Sequence, residues 1–270
     1  MTRVAFQGED GAFSQEAIFR TFGNATDTLA CRTFEEIFRA VKDGQVDLGM
    51  VPIENSTAGA INASYDLLLD FDLPIVREVV LPVRLALMAP AGVTVADIHR
   101  VYSHPAALAQ SERFVAGHGW EAVAAYDTAG AAKQLAASGE RGAAVIASEI
   151  AAGIYGLNVL AREIQDLSNN FTRFFVISRT EAARSEKPKT SLVFATQHIP
   201  GALHACLGEF ASRGINLTKL ESRPDRRDPW HYVFYMDLQV HKDDPACRDA
   251  LSGLRDKVSF LKVLGSYPSA

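Results

Sequence analysis

Five short stretches carry polar and charged side chains in patterns that neither a plain core nor a plain surface requires. In Gly8-Glu-Asp-Gly-Ala12-Phe13-Ser14, glycines end a strand and a hydroxyl opens a helical pattern. Backbone N–H groups and the helix dipole at such a point bind anions, although a simple turn with a capping Ser has the same wording. The stretch lacks G-x-G-x-x-G and G-x-x-x-x-G-K-[ST], so a nucleotide is not indicated. Glu54-Asn55-Ser56-Thr57 follows a buried apolar run and supplies a carboxylate, an amide and two hydroxyls, as would an ordinary surface loop. Tyr102-Ser103-His104-Pro105 precedes Gln110, and Pro105 suits a first helical position, so Ser103 or His104 also reads as a cap. Asn169-Asn170-Phe171-Thr172-Arg173-Phe174 sets a hydroxyl and a cation among aromatic rings. That suits a carboxylate in a partly dry pocket, or equally a solvent-facing Arg at a strand edge. Finally, Gly201-Ala202-Leu203 opens a helix and Glu221-Ser222-Arg223-Pro224 ends a strand, where helix-start N–H groups suit an amino-acid carboxylate.

The elements that must hold these stretches alternate along the chain. Val4–Phe6 predicts a strand, Phe13–Phe22 a helix and Thr28–Arg32 a second strand. Thr33 and Glu36 have capping-box spacing, and Phe34, Ile37, Phe38 and Val41 share one face of the helix that follows. Leu48–Ile53 is apolar throughout, as in a strand covered on both faces. Further strands are predicted at Ile75–Leu81, Leu85–Met88, Val101–Ser103, Val123–Tyr126, Ala143–Ala147 and Phe174–Ile177. Helices are predicted near Ala60–Leu69, Ala106–Ala116, Thr128–Ala137 and Ser148–Tyr155. Such alternation predicts an α/β fold with open, mostly parallel sheets, whose ligands lie beyond the carboxyl ends of the strands. The polar stretch Thr180–Lys189 reads as a linker. Beyond it, a βαββαβ order predicts a ferredoxin-like module.

Composition narrows the function further. The 270 residues are 48% hydrophobic and 22% charged, enough for two packed domains and unlike a disordered chain. Asp and Glu outnumber Lys and Arg by 32 to 27, which disfavours nucleic acid. No leader-like or bilayer-length apolar run occurs, so neither a membrane nor export is expected and a cytoplasmic protein is predicted. Cys31, Cys206 and Cys247 are odd in number and widely spaced, which predicts reduced, buried thiols. No His or Cys spacing suggests a metal.

Taken in order, GEDGAFSQEA, VPIENSTAG, SHPAALAQ, YDTAGAA, NNFTRF, GALHACL and ESRP resemble the prephenate dehydratase family over nearly the whole chain. The C-terminal module resembles an ACT domain, a small-molecule sensor. The resemblance implies a catalytic region at 1–180, built of two lobes like a periplasmic binding protein, with the second lobe at about 78–165. It implies an ACT domain at 189–266. By motif position it gives the essential hydroxyl to Thr172 and carboxylate binding to Arg173, and sets Glu54, Asn55, Ser103 and Gln110 in or beside the site. Ala12, Phe13, Ser14, Asn170 and Phe174 complete the substrate contacts. Gly201, Ala202, Leu203, Asn216, Leu217, Glu221, Ser222, Arg223 and Pro224 are implied to contact phenylalanine at a dimer interface, in a homodimer or homotetramer. Two departures stand out. The family commonly has Thr where this chain has Ala12, and Gln where it has Ala106, while the wording also resembles plant arogenate dehydratases.

The implied reaction removes CO2 and water from prephenate to give phenylpyruvate, with arogenate as the alternative substrate and a non-catalytic amino-acid sensor as a further alternative. Aromatisation supplies the driving force, and no cofactor is required. The protein must hold a dianion and help hydroxide leave. Thr172 is expected to donate a hydrogen bond to the leaving oxygen, and Glu54 is the alternative acid if a closed cleft raises its pKa.

Overall fold

The computed structural model describes residues 2–225 and 231–270. It separates into two compact units: Met1–Ser64 with Val79–Phe174, and Tyr65–Glu78 with Phe175–Ala270.

The first unit holds two lobes. In the N-terminal lobe the chain runs β1 (Arg3–Gln7), α1 (Phe13–Phe22), β2 (Asp27–Cys31), α2 (Phe34–Lys42), β3 (Leu48–Asn55), β4 (Gly59–Ala60) and α3 (Asn62–Asp70). The sheet has the order β2-β1-β3-β11-β5, closed by β5 (Ile75–Pro82) and β11 (Phe171–Ser178), both of which cross the division between units. Strand β1 is parallel to β2 and to β3. Val4, Ala5, Phe6, Met50, Val51 and Ile53 are all inaccessible, as an apolar run without alternation requires. Thr33 caps α2 by accepting from Glu36 N–H at 3.3 Å. The reverse arm of the capping box reaches past the cap to Arg32 N–H, at 2.7 Å from Glu36 Oε2.

The second lobe contains β6 (Ala86–Ala89), β7 (Arg100–Ser103), α4 (Pro105–Ala109), α5 (Glu112–Gly117), β8 (Glu121–Ala124), α6 (Thr128–Ser138), β9 (Ala143–Ala147), α7 (Ile150–Tyr155) and β10 (Asn158–Ala161). Its sheet order is β10-β6-β9-β7-β8. The pleat sorts its core by parity: Leu87, Ala89, Ala144 and Ile146 pack on one face, and Ala86, Met88, Ala143, Val145 and Ala147 on the other. The chain enters this lobe once, between β5 and β6, and leaves once, between β10 and β11. That double crossing is what the two-lobed expectation requires.

Four sequence expectations need correction. The second sheet is mixed: β7 runs parallel to β8 and β9, but β6 is antiparallel to β9 and to the unanticipated β10. The single helix expected over Ala106–Ala116 is broken at Gln110–Ser111, where the Ser111 hydroxyl turns back to the Ala107 carbonyl at 2.8 Å. The strand expected to reach Tyr126 stops at Ala124. Strand β3 continues to Asn55 and β11 begins at Phe171, so Glu54, Asn55, Thr172 and Arg173 all lie within strands.

The second unit carries β12 (Pro188–Thr196), α8 (Ala202–Ala211), β13 (Leu217–Pro224), β14 (Tyr232–Leu238), α9 (Pro245–Arg255) and β15 (Val258–Pro268). Its antiparallel sheet, ordered β13-β14-β12-β15, is the ferredoxin-like arrangement. Leu192, Phe194 and Met236 on the sheet meet Cys206, Phe210, Cys247 and Leu254 on the helices. All three cysteines are free and buried, and burial pushes the Cys247 thiol up to about 11. No helix among the described residues is long and apolar enough to cross a membrane.

The lobes of the first unit touch at Gly11, which has φ +90° and would bring a Cβ within 2.9 Å of Ala151. Replacing Gly11 by Ala is expected to cost about 1–3 kcal/mol through backbone strain and overlap together. Thermal unfolding of the variant checks this, with activity falling in parallel because Ala12–Ser14 move with the loop.

Candidate active site

The loops at the carboxyl ends of β1, β3, β7 and β8 converge on a cavity of about 400 Å³ in the first unit. This is where ligands of open α/β sheets bind. Its lining includes Ala12, Phe13, Ser14, Asn55, Gln110 and Thr172. Phe174, His104, Ala106 and Asp127 line it as well.

Asn55 organises one wall. Its Nδ2 donates to Asn170 Oδ1 at 2.8 Å, to the Phe171 carbonyl at 3.1 Å and to Thr172 Oγ1 at 3.1 Å. Two protons serve three acceptors, so one is shared. The Asn170 amide donates onward to Gln110 Oε1 at 2.9 Å, and Gln110 Nε2 donates to Thr57 Oγ1 at 3.0 Å. Thr57 then donates back to Asn55 Oδ1 at 2.6 Å. The four side chains form a closed ring in which each donates to the next. It joins β3 and its loop, the α4–α5 break of the second lobe and the segment returning between lobes. In a ring of one sense each bond polarises its neighbour in the same direction. Because Thr172 Oγ accepts from Asn55, its own proton remains available to the cavity.

The pleat of β11 separates the predicted residues on that strand. Successive side chains in a strand point to opposite faces. On β11, Thr172 and Phe174 line the cavity and Arg173 between them does not. On β3 both Pro52 and Asn55 line it, so alternation does not by itself place Glu54, which is not among the lining residues. Arg173 Nη1 instead lies 3.6 Å from Glu54 Oε1, with the Arg side chain 11% exposed. Neither Arg173, expected to bind carboxylate, nor Glu54, the acid held in reserve, is among the residues that line this cavity. Ser103 also lies away from the lining: it is wholly buried and donates to the Ile146 carbonyl at 2.5 Å, tying β7 to β9.

No Lys or Arg occurs among the cavity's lining residues. Positive potential comes instead from the starts of α1 and α6. Helix α1 begins with Ala12 at the N-cap and no capping side chain, so Phe13 and Ser14 lie against the cavity at an uncapped helix start. Helix α6 begins at Thr128, behind Asp127, whose Oδ1 accepts from Gly130 N–H. A second cavity of about 530 Å³ shares Ala58, Ala106 and Gln110 with the first and contains Arg113.

Sequence reasoning named Thr57 only as one hydroxyl of the loop after β3 and Asp127 only within YDTAGAA, and gave neither a role. Asp127 caps α6, and the fold sets that cap against the cavity. Burial raises the Asp127 pKa above the usual carboxylate range, helped by Glu9 and opposed by the Gly130 N–H and by His104. Glu9 itself is held low, chiefly by its bond to Lys133.

In the second unit, Gly201, Ala202 and Leu203 line a cavity of about 470 Å³ with His198, His204 and Phe234. Gly201 takes φ +78° at the N-cap of α8, which also lacks a side-chain cap. The other implied effector residues lie outside this lining. Asn216 donates to Gln239 at 2.6 Å, and Leu217 begins β13, where Ser222 and Pro224 are exposed. Glu221 pairs with Lys219 at 3.6 Å, and Arg223 donates to Asp66 at 3.0 Å.

Replacing Asn55 by Ala is expected to destabilise the first unit by about 1–3 kcal/mol, because Asn170 Oδ1, the Phe171 carbonyl and Thr172 Oγ1 lose their donor together. A double-mutant cycle of Asn55→Ala with Gln110→Ala should show a coupling of about 0.5 kcal/mol or more, since both belong to one ring. Additive losses would mean the ring does not act as a unit.

Comparison with known proteins places this geometry. The profile of the prephenate dehydratase family matches residues 4–182 and that of the ACT domain residues 190–256. An arogenate dehydratase/prephenate dehydratase of Arabidopsis thaliana is 44% identical, over 98% of this chain and 72% of its own length. A prephenate dehydratase from Arthrobacter aurescens, solved in complex with L-Phe, superposes with a TM-score of 0.91 at 32% identity, covering 99% of this chain and 90% of its own. A structure described as GqqA, a quorum-quenching acylase, also reaches 0.91, at 35% identity over 99% of this chain and 98% of its own. With a profile spanning most of the chain, a cavity at the mouths of two sheets and a ferredoxin-like module after it, the chain belongs to the prephenate dehydratase family and is a dehydratase with a C-terminal ACT domain.

Proposed function

We propose that the enzyme converts prephenate to phenylpyruvate, with loss of CO2 and water, and that phenylalanine bound to the ACT domain restrains it. The observation that carries the first part is the Thr172 hydroxyl, oriented by Asn55 and presented to a cavity that also receives the uncapped start of α1.

In this reading the substrate's carboxylates meet the N–H groups at Phe13 and Ser14, where the helix dipole favours negative charge without a buried Lys or Arg. Phe174 and Phe13 give the ring an apolar surface. Thr172 donates its hydrogen bond to the departing hydroxyl. Asn55 and Gln110 keep Thr172 and Asn170 in register. Glu54 and Arg173, paired with each other outside the lining, position β3 and β11 rather than touch substrate. Fixing the reacting groups in this way contributes several kcal/mol of rate enhancement, on the order of 7–11 in favourable cases.

Arogenate is the second reading. Ala12 and Ala106 both line the cavity where the family motif commonly carries Thr and Gln, so the lining is less polar than the motif predicts. A relative of this chain is named for both substrates.

The deciding measurement is product release with each substrate in turn, phenylpyruvate from prephenate and phenylalanine from arogenate. Thr172→Ser is expected to stay within about tenfold of the parent, whereas Thr172→Ala should lose about 10²–10⁴ in kcat with the fold intact. Full turnover by Thr172→Ala would remove the hydroxyl from the mechanism.

For the second part, the supporting observation is the cavity at Gly201–Leu203, beside the helix start of α8. Phenylalanine at about 100 times its Kd should stabilise the full chain by roughly 2.7 kcal/mol and lower turnover. Gly201→Ala, strained at its positive φ, should blunt both effects while basal turnover persists. A sensor shared between two copies would make the working form a dimer or tetramer, which light scattering with and without phenylalanine would test.

A further inference from the structure

The reaction needs a proton, and neither group first considered for it is an acid placed at the cavity. Expelling CO2 sends the electron pair of the broken C–C bond into the ring. The ring C–O bond breaks and the pair on oxygen leaves as hydroxide unless a proton arrives with it. Thr172 can donate a hydrogen bond but is a poor acid. Glu54 is not among the cavity's lining residues and lies against Arg173.

Asp127 has the placement that Glu54 lacks. It lies in the cavity lining, at the loop that joins β8 to α6. Its two oxygens have different surroundings. Oδ1 accepts from Gly130 N–H at the helix start. Oδ2 is buried and has no hydrogen-bond partner among the described residues. It points toward the β1 loop of the opposite lobe, 3.8 Å from where a Cβ on Gly8 would stand, and that same Cβ would be 3.4 Å from Ala12. A buried carboxylate oxygen without a donor is costly, whereas a carboxylic acid whose free O–H faces a ligand is not.

We propose that Asp127 is the general acid of the dehydratase reaction, an assignment that rests on the function proposed above. Protonated on Oδ2, it transfers that proton to the departing hydroxyl as the C–O bond breaks, releasing water, and is left as a carboxylate that regains a proton from solvent. Charge and atoms balance: substrate dianion plus one proton gives the monoanion of the product, CO2 and water.

The surroundings favour the protonated form in the complex. Glu9 faces Asp127 from the β1 loop, His104 from the start of α4, Tyr126 and Lys133 from its own loop and helix, and Tyr155 from α7. Burial already raises its pKa. A dianion arriving beside it raises it further, since like charges oppose a second ionisation. The active form is the protonated one, so the rate is expected to be full below this raised pKa and to fall as pH rises through it.

The test compares kcat against pH for the full chain and for Asp127→Asn and Asp127→Ser, both of which retain a helix-capping side chain. Both variants should keep the parental unfolding temperature and KM within a few-fold, lose about 10²–10⁴ in kcat, and lose the alkaline fall of the profile. A merely structural Asp127 would lower stability and leave the shape of the profile unchanged. Variants that are folded and turn over at the parental rate, or that keep the parental profile, overturn the assignment. Should both fail to fold, the parent decides: a kcat falling with rising pH supports the acid, and a flat one overturns it. A parent that releases product from neither prephenate nor arogenate overturns the dehydratase reading and this assignment together. An active parent with an unimpaired Asp127→Asn overturns this assignment alone.

Discussion

The catalytic unit depends on the Asn55 carboxamide. Its two ends do different work: Oδ1 accepts from Thr57 N–H, Thr57 Oγ and Ala58 N–H and so folds the loop after β3, while Nδ2 fixes Asn170, the Phe171 carbonyl and Thr172. An amide both donates and accepts over this distance, which a carboxylate or an alkyl side chain of similar size does not. Through Asn170 and Gln110 the same bonds connect the two lobes of the first unit at their junction. Lobe geometry and hydroxyl orientation are therefore set by one network.

A second constraint is the handling of negative charge. A cavity proposed to hold a dianion would ordinarily carry buried arginines, yet its lining has none. Burying a guanidinium beside a small substrate costs several kcal/mol of desolvation unless it is fully paired. Backbone N–H groups at the helix start avoid that cost, because the peptide dipoles are already oriented by the helix. The chain's net charge of −5 is thus no obstacle to an anionic ligand. The same economy leaves a carboxyl group, Asp127, free to remain neutral within the cavity.

Much of this was legible from residue order. Thr33 and Glu36 located the start of α2, the apolar run 48–53 located a doubly covered strand, and the module after residue 188 declared its βαββαβ order. The stretches around Ser14, Asn55, Gln110 and Thr172 were recognisable as candidates, and the fold brings them to one cavity. What misled was strand length. Reading Arg173 as preceding its strand allowed it any direction, whereas β11 extends through it and sets it opposite to Thr172 and Phe174. Ser103 misled for a related reason: a Ser at a strand end can face a ligand or a neighbouring carbonyl, and local sequence does not distinguish the two. The broken helix at Gln110 escaped notice because Ala-rich sequence on either side favours continuity, while the break comes from one hydroxyl turning back on the backbone.

By itself the sequence determined the elements, their order, the family wording and the set of residue types available for chemistry, since hydrophobic period and turn chemistry are local properties of the chain. Tertiary structure alone decided which of those residues meet. Thr172 faces the cavity and Arg173 does not because they are one residue apart on a pleated strand. Asp127 became more than a helix cap because a loop more than a hundred residues earlier, at Gly8, lies beside its unpartnered oxygen. Contacts of that kind depend on how two sheets are set against each other, and no local pattern in the chain encodes them.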